Sequence, residues 1–181
     1  MVQKKRKSQV HPPQGEDCQS TSATQLELKR LLLKQGVRLD VGCGFNKQRG
    51  FIGMDKRPVK GVDIVHDVEV FPWPLPDSCC SMVIMSHLVE HIKPWLQIDL
   101  MNECWRVLED DGLLMIATPY ATSFGYYQDP THCKPWNEAT PTYFIKDQPL
   151  YQIYRPKPWK GEKVSWDIHG TLEVALRKLP E

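Results

Sequence analysis

The stretch Arg38-Leu39-Asp40-Val41-Gly42-Cys43-Gly44 is the feature that most constrains what this chain can fold into. A short apolar segment runs directly into two glycines that are separated by one small residue. Glycine allows the backbone to turn sharply, and it lets a ligand approach main-chain N–H groups that a Cβ atom would shield. The motif therefore predicts a strand followed by a ligand-binding turn.

A second short apolar run, Phe51–Met54, ends in Asp55. A carboxylate after the second strand of a nucleotide-binding sheet can accept two hydrogen bonds from a ribose diol. The two glycines alone are weak evidence for a ligand. Together with the acid after the next strand, they indicate a cofactor that contains a nucleoside.

The pattern of apolar segments predicts an α/β fold with a mostly parallel sheet and a C-terminal antiparallel hairpin. The predicted strands are Val37–Val41, Phe51–Met54, Val62–Val65, Ser81–Ser86, Leu113–Ala117, Trp159–Trp166 and Thr171–Leu179. Parallel neighbours are normally joined by a crossover of about a dozen residues, usually helical. The connections after the first two strands are too short for that, so their helices should be shortened or missing.

The rest of the chain supplies fewer helices than such a sheet usually has. An apolar stripe predicts a helix over Lys93–Leu108, and Asp110-Asp111-Gly112 predicts a turn into the fifth strand. Proline makes residues 71–78 a loop. Residues 120–136 form a loop long enough to be a lid or a binding loop, and 137–145 predict a short helix.

Length and composition favour one domain. With 181 residues the chain can bury a sizeable core, and 23 basic residues against 22 acidic ones do not suggest a polyanionic partner for the whole chain. We expect a disordered basic tail at 1–22, which contains Lys4-Lys5-Arg6-Lys7, and a domain at 23–181 that opens with a helix at 23–35. Nucleic acid is a possible partner only through that tail.

The sequence has neither a secretory signal nor a segment of transmembrane length. Its six cysteines include the adjacent pair Cys79-Cys80 and no C-x-x-C motif. This spacing suits neither a disulfide framework nor a zinc ribbon, so we expect reduced thiols in the cytoplasm and no membrane partner.

Three segments carry a resemblance to a known family. They are Leu39–Gly44, the run Ser81–Ile92 (SMVIMSHLVEHI) and the run from Arg106-Val107-Leu108 to Asp111-Gly112-Leu113. Together they resemble S-adenosylmethionine-dependent methyltransferases of the Rossmann-like class, in the small-molecule (type 11-like) branch. The resemblance covers roughly residues 36–180. It implies an enzyme that uses S-adenosylmethionine to methylate a small-molecule acceptor, whose identity and acceptor atom the sequence does not give.

The resemblance also implies roles for individual residues. Asp40, Gly42 and Gly44 fall around the methionine part of the cofactor, Asp55 on the ribose and Asp67 on the adenine amino group. Ser86 and His87 fall beside the reacting methyl group. The implied cofactor-binding set is Asp40, Gly42, Cys43, Gly44, Asp55, Asp67, Ser86 and His87.

The acceptor pocket is expected in the long loop, at Gln128-Asp129-Pro130-Thr131-His132-Cys133. An oxygen or nitrogen acceptor can need its proton removed, and an imidazole or a carboxylate suits that task. We predict His132 as the base, with Glu90 or His91 beside it and Asp129 orienting the His132 ring. The pocket walls are predicted to be Phe124, Tyr126, Tyr127 and Trp136. The alternative is an ordinary surface loop whose Asp and His residues cap a helix or turn.

Three other functions compete with this interpretation. A dinucleotide oxidoreductase needs a helix N-terminus at the pyrophosphate, and the chain has little room for one. His87-Leu88-Val89-Glu90-His91 matches the H-x-x-E-H pattern of a zinc protease, but it follows a buried strand, so we expect no metal there. The third is an inactive cofactor-binding or nucleic-acid-binding module that keeps the fold.

Overall fold

The computed structural model describes residues 36–167 and 169–181 and contains a seven-stranded sheet of order β3-β2-β1-β4-β5-β7-β6. The strands are β1 (Val37–Val41), β2 (Ile52–Asp55), β3 (Ile64–Val65), β4 (Cys80–Ser86), β5 (Leu108–Pro119), β6 (Trp159–Trp166) and β7 (Thr171–Lys178). β1 to β5 pair in parallel, and β7 runs antiparallel to both β5 and β6. The predicted fold class is confirmed.

In residues 36–167 and 169–181 the helices are few and short. They are α1 (Gln97–Val107), α2 (Phe124–Tyr127) and α3 (Tyr151–Tyr154), with 3-10 helices at Val89–His91, Pro94–Leu96 and Thr140–Tyr143. Neither the connection from β1 to β2 nor that from β2 to β3 contains a helix, as the short spacing predicted. Among the described residues, none of these helices is long and apolar enough to cross a bilayer.

Only β1 and β6 have the predicted bounds; the other predicted strands differ at one or both ends, and the short helix predicted at 137–145 is a 3-10 helix at Thr140–Tyr143. Two of the differences have a clear physical reason. The helix predicted from Lys93 begins at Gln97, because Lys93 is extended and Pro94 opens a separate 3-10 turn. The turn predicted at Asp110-Asp111-Gly112 lies inside β5, where the register against β4 shifts between Cys80 and Met82. Asp111 has a φ of 61°, so the chain bulges at this point without leaving the sheet.

The predicted tail at 1–22 and the predicted helix at 23–35 lie outside the described residues, so that division of the chain stays a prediction. Within the described part, the sheet interior is apolar on its central strands. Leu39 and Val41 of β1, Val83 of β4 and Leu114 of β5 are fully buried. A parallel strand between two neighbours is expected to be apolar on both faces, which explains these residues.

The proline-rich loop at residues 71–78 covers the core between β3 and β4, where a crossover helix would usually pack. Trp73 and Leu75 in this loop are almost fully buried in the core, and the Trp73 indole N–H donates to the Val68 carbonyl. The Trp73 backbone N–H donates to Glu103 of α1 at 2.6 Å. The loop therefore contributes two side chains to the core although its backbone forms no regular helix or strand.

Arg106 fastens this loop to α1. Its guanidinium donates to the carbonyls of Leu75 at 2.9 Å and Trp73 at 3.3 Å, and it pairs with the Glu103 carboxylate at 2.6 Å. A planar guanidinium with five N–H donors can satisfy several acceptors at once, which lysine cannot do.

We predict that Arg106→Met destabilises the fold by about 2–3 kcal/mol, because the Leu75 and Trp73 carbonyls and the Glu103 carboxylate each lose the hydrogen bonds from Arg106, and the Glu103 charge loses its cation. Asp77→Asn is the matched control, since Asp77 also pairs with Arg106 but its side chain is 78% exposed. It should cost less than about 1 kcal/mol. Urea unfolding measures both, and equal costs would contradict the role given to Arg106.

Candidate functional site

Two adjoining cavities open at the carboxyl ends of the parallel strands. The first, the edge cavity, has a volume of about 470 Å³ and is lined by Gly42, Asp55, Lys56, Arg57, Asp67, Val68, Glu69, His87, Leu88, His91, Ile92 and Thr131. The second, the histidine cavity, has about 320 Å³ and is lined by His87, Glu90, His91, Pro119, Gly125, Gln128, Asp129, His132, His169, Gly170 and Thr171. His87 and His91 line both, so the cavities meet at these two side chains.

The glycine turn is tied directly to β2. Gly42 has a φ of 73°, and its N–H donates to the Met54 carbonyl at 2.7 Å. A Cβ atom at Gly42 would lie 2.8 Å from Leu88 Cδ1. Glycine is therefore required twice at this position, by the left-handed backbone and by the approach of the segment that follows β4.

Asp55 is buried at the end of β2, with both carboxylate oxygens already hydrogen-bonded. Oδ2 accepts from the Gly44 N–H at 2.9 Å, and Oδ1 accepts from the Arg57 N–H at 2.9 Å. The Arg57 guanidinium adds contacts of 3.1 and 3.3 Å. Burial alone would raise the pKa of Asp55, but the hydrogen bonds from Arg57 and Gly44 lower it below its usual value.

Asp40 and Cys43 do not line either cavity. The Asp40 carboxylate accepts from the Gln48 N–H at 2.8 Å, so it holds the connection between β1 and β2 together. Burial raises the pKa of Asp40. Burial, followed by the negative charges of Asp40 and Asp55, raises the pKa of Cys43 to about 11. Both residues are buried within the turn and form no part of a cavity wall. The Cys43 thiol stays protonated at neutral pH.

Gly44 and Ser86 also lie outside the two linings. The Gly44 N–H, which the motif made available to a ligand, donates to Asp55. Ser86 ends β4 and is exposed. Of the predicted cofactor-binding residues, the edge cavity brings together Gly42, Asp55, Asp67 and His87.

Two charged residues that the sequence analysis did not identify, Arg57 and Glu69, line the edge cavity. Arg57 covers the Asp55 carboxylate, and Glu69 accepts hydrogen bonds from the backbone and the side chain of Lys93. Their spacing matches no motif considered in the sequence. Lys47, which follows the glycine turn, lines neither cavity and pairs with Asp63 at 2.7 Å.

The segment after β4 turns sharply at His87, whose φ is 52°, before the 3-10 helix Val89–His91. His87 and His91 therefore do not share a face of one regular α-helix, as expected. The Glu90 carboxylate raises the pKa of His87, whose Nδ1 lies 3.4 Å from Glu90 Oε1.

Glu90 is the fully buried acid of the site. Oε2 accepts from the Thr118 hydroxyl at 2.9 Å, while Oε1 has no hydrogen-bond partner among the described residues. The Glu90 backbone carbonyl accepts from the N–H groups of Cys133 and Lys134 at 2.8 and 3.2 Å. Glu90 thus pins the long loop to the segment that follows β4.

The long loop brings His132 against His91, with ring centroids 4.6 Å apart. The expected pairing of Asp129 with His132 is not a hydrogen bond, since the nearest atoms are 3.9 Å apart. Asp129 Oδ1 accepts instead from the Thr131 hydroxyl at 2.7 Å, and the Thr131 hydroxyl oxygen lies 3.0 Å from His91 Nδ1. Asp129 therefore orients His91 through Thr131, while His132 Nδ1 contacts the Tyr126 carbonyl at 2.7 Å.

The predicted aromatic walls do not line the histidine cavity. Trp136 is fully buried and donates to Gln97, so it belongs to the core. Phe124 and Tyr127 are 83% and 73% exposed. Tyr126 is the aromatic residue that packs beside His132, with ring centroids 5.4 Å apart. The residues that line the cavity in their place include His169, Thr171 and Gln128.

Solved structures with this topology share its arrangement over most of their length. A methyltransferase from Archaeoglobus fulgidus that depends on S-adenosylmethionine has a TM-score of 0.56 at 21% identity, covering 88% of this chain and 94% of its own. The Burkholderia thailandensis 1,6-didemethyltoxoflavin-N1-methyltransferase, solved with its substrate and S-adenosylhomocysteine, has a TM-score of 0.58 at 13% identity, covering 91% and 80%. The chain has the Rossmann-like methyltransferase fold.

A comparison of sequences agrees with the comparison of structures. A probable S-adenosylmethionine-dependent methyltransferase of Mycobacterium tuberculosis is 30% identical over 129 residues, which is 60% of this chain and 46% of the relative. The resemblance to S-adenosylmethionine-dependent methyltransferases that the motifs indicated is thereby confirmed, and its assignment to a small-molecule branch stays a prediction. The chain spans about half the length of the curated relatives it matches. No family model matches the chain.

Proposed function

We propose that this protein is an S-adenosylmethionine-dependent methyltransferase that acts on a small molecule. The observation that carries the proposal is the junction of the two cavities at His87 and His91. A transferase needs its two substrates side by side with their reacting atoms facing each other. The edge cavity, beside the glycine turn and the acid of β2, suits the cofactor, and the histidine cavity suits the acceptor.

The residues present fit the cofactor. The edge cavity has the volume of an ordinary ligand site, and Gly42, Asp55 and Asp67 are among the residues that line it. We assign Gly42 to the methionine part, Asp55 to the ribose diol, Asp67 to the adenine amino group and His87 to the junction. When bound, S-adenosylmethionine supplies an electrophilic methyl group. Asp40, Cys43 and Gly44 line neither cavity; their role is to hold the turn and the Asp55 carboxylate in place.

Arg57 has to release Asp55 when a ribose binds, since the guanidinium covers both carboxylate oxygens. Its side chain is 55% exposed, so it can move into solvent without breaking core contacts. We propose that Arg57 neutralises Asp55 in the free protein and is exchanged for the diol.

In the histidine cavity, the chain's task is to orient the acceptor, to exclude water and, where the acceptor carries a proton, to remove it. His132, His91 and Glu90 lie together there, and Asp129 positions His91 through Thr131. We propose that these residues bind the acceptor and that His132 is the first candidate for the base. Most of the lining residues carry polar side chains, which favours a small acceptor with at least one polar group.

We further propose that the protein works in the cytoplasm. The five described cysteines, Cys43, Cys79, Cys80, Cys104 and Cys133, are free thiols, which fits a reducing compartment. From the sequence alone, we also propose that any contact with nucleic acid is made through the basic tail at 1–22.

Calorimetry with S-adenosylmethionine, S-adenosylhomocysteine and NAD tests the cofactor assignment. We expect the first two to bind, and Asp55→Ala to weaken them by about 1–3 kcal/mol, the range for a lost hydrogen bond to a charged acceptor. Arg57→Ala should keep or improve binding. Asp77→Asn, away from both cavities, should change nothing. Binding of NAD alone would overturn the proposal.

A transfer assay tests the acceptor cavity. Wild-type protein incubated with methyl-labelled S-adenosylmethionine and a low-molecular-mass extract should label a small molecule. His132→Ala should keep cofactor affinity and slow transfer by about 100-fold or more, the range for a lost general base. Wild-type protein that binds the cofactor but labels nothing would favour the inactive binding module instead.

A further inference from the structure

We propose that Glu90, His91 and His132 form a binding site for one divalent transition-metal ion in the histidine cavity. One possible ligand atom from each residue lies within 4.8 Å of the others. Two imidazoles and one carboxylate form a ligand set that binds such ions and leaves positions open for another ligand. The site is made only of this chain's residues. It uses the same imidazole of His132 that we propose as the base, so a bound metal ion and a free His132 base are alternative states of the cavity.

The hydrogen bonds around His132 fix which nitrogen is free. Its Nδ1 lies 2.7 Å from the Tyr126 carbonyl, which can only accept, so Nδ1 carries the proton. Nε2 is then left with a lone pair. A histidine that ligates a metal usually donates its other N–H to a backbone carbonyl or a carboxylate in this way.

His91 has the same arrangement through a hydroxyl. The Thr131 hydroxyl donates its one proton to Asp129 Oδ1 at 2.7 Å, so its oxygen accepts from His91 Nδ1 at 3.0 Å. The His91 Nε2 lone pair is left free. The chain from Asp129 through Thr131 to His91 matches the carboxylate-supported histidine of metal sites, with a hydroxyl inserted.

Glu90 supplies the negative charge. Its side chain is fully buried, one oxygen accepts from Thr118, and the other has no hydrogen-bond partner among the described residues. A buried carboxylate oxygen without a donor is costly unless a cation or a proton completes it. The charged neighbour of this oxygen is His87, whose Nδ1 lies 3.4 Å away without hydrogen-bond geometry. A carboxylate oxygen with no hydrogen bond, beside two imidazoles with free Nε2 lone pairs, suits a cation.

The distances allow a metal after a small contraction. Zinc binds imidazole nitrogen and carboxylate oxygen at about 2.1 Å, so its ligand atoms lie about 3.4 Å apart in a tetrahedron. His132 and His91 sit on a loop and a short 3-10 helix, whose shifts by about 1 Å would close the set. His87, with its Nδ1 3.4 Å from Glu90 Oε1, lies beside the site at the boundary with the edge cavity.

The proposed site differs from the H-x-x-E-H zinc site that the sequence made us doubt. That pattern would join His87 to His91 on one helix. The structure instead joins His91 to His132, which lies in the long loop and could be found only from the fold.

Titration of tag-free protein with Zn²⁺, Co²⁺ and Mg²⁺ tests the proposal. We expect one Zn²⁺ or Co²⁺ per chain and no comparable Mg²⁺ binding, because imidazole ligands favour the transition metals. Co²⁺ should give visible absorption bands. His91→Gln and His132→Ala should each weaken binding by about 100-fold or more, and Thr131→Val by about tenfold, since it removes only the support of His91.

Two controls separate this site from adventitious binding. His169→Ala removes another imidazole of the same cavity, and Cys133→Ser removes the exposed thiol beside His132; both should keep the wild-type affinity. Circular dichroism checks that each variant is folded. Absence of stoichiometric binding, or binding that survives His91→Gln and His132→Ala, would overturn the proposal. Neither result would affect the S-adenosylmethionine test, which reads out the edge cavity.

Discussion

The hydrogen bonds between the glycine turn and the end of β2 determine where the functional edge lies. Gly42 donates to the Met54 carbonyl and Gly44 donates to the Asp55 carboxylate. In most doubly wound sheets a helix after the first strand holds this turn. Here no helix follows β1, so these two bonds and the bond from Gln48 to Asp40 hold it instead. The carboxylate of Asp55 is a structural acceptor in this turn, and we propose that it also binds the ribose.

A fold with few helices needs other cover for its sheet. The proline-rich loop places Trp73 and Leu75 in the core, and Arg106 holds the loop against α1. In the same way, the long loop after β5 is pinned by the Glu90 carbonyl, and Trp136 enters the core. Both loops therefore have a packing role, and the second one also delivers His132 and Thr131 to the cavities.

The sequence was sufficient where periodicity and glycine spacing decide the structure. β1 and β6 were predicted with their observed bounds, and the missing crossover helices followed from chain length. The family resemblance, and not the local pattern, pointed to Gly42, Asp55, Asp67 and His87 as cofactor-binding residues; these four line one cavity, and their roles stay a prediction. Contacts between distant segments could not be predicted. Nothing in the local pattern shows that Trp136 is a core residue or that Asp129 reaches His91 through Thr131. Each of these depends on how loops fold back on the sheet.

The central claim is that the cofactor occupies the edge cavity with its reacting end at the junction with the histidine cavity. A crystal structure of the protein with S-adenosylhomocysteine tests it most directly. We predict the ribose on Asp55 with Arg57 displaced, the adenine near Asp67, and the sulfur beside His87 and facing the histidine cavity. A ligand in the separate cavity lined by Trp95 and Tyr143, or one lying in the edge cavity with its sulfur at the Asp67 end, would contradict the account.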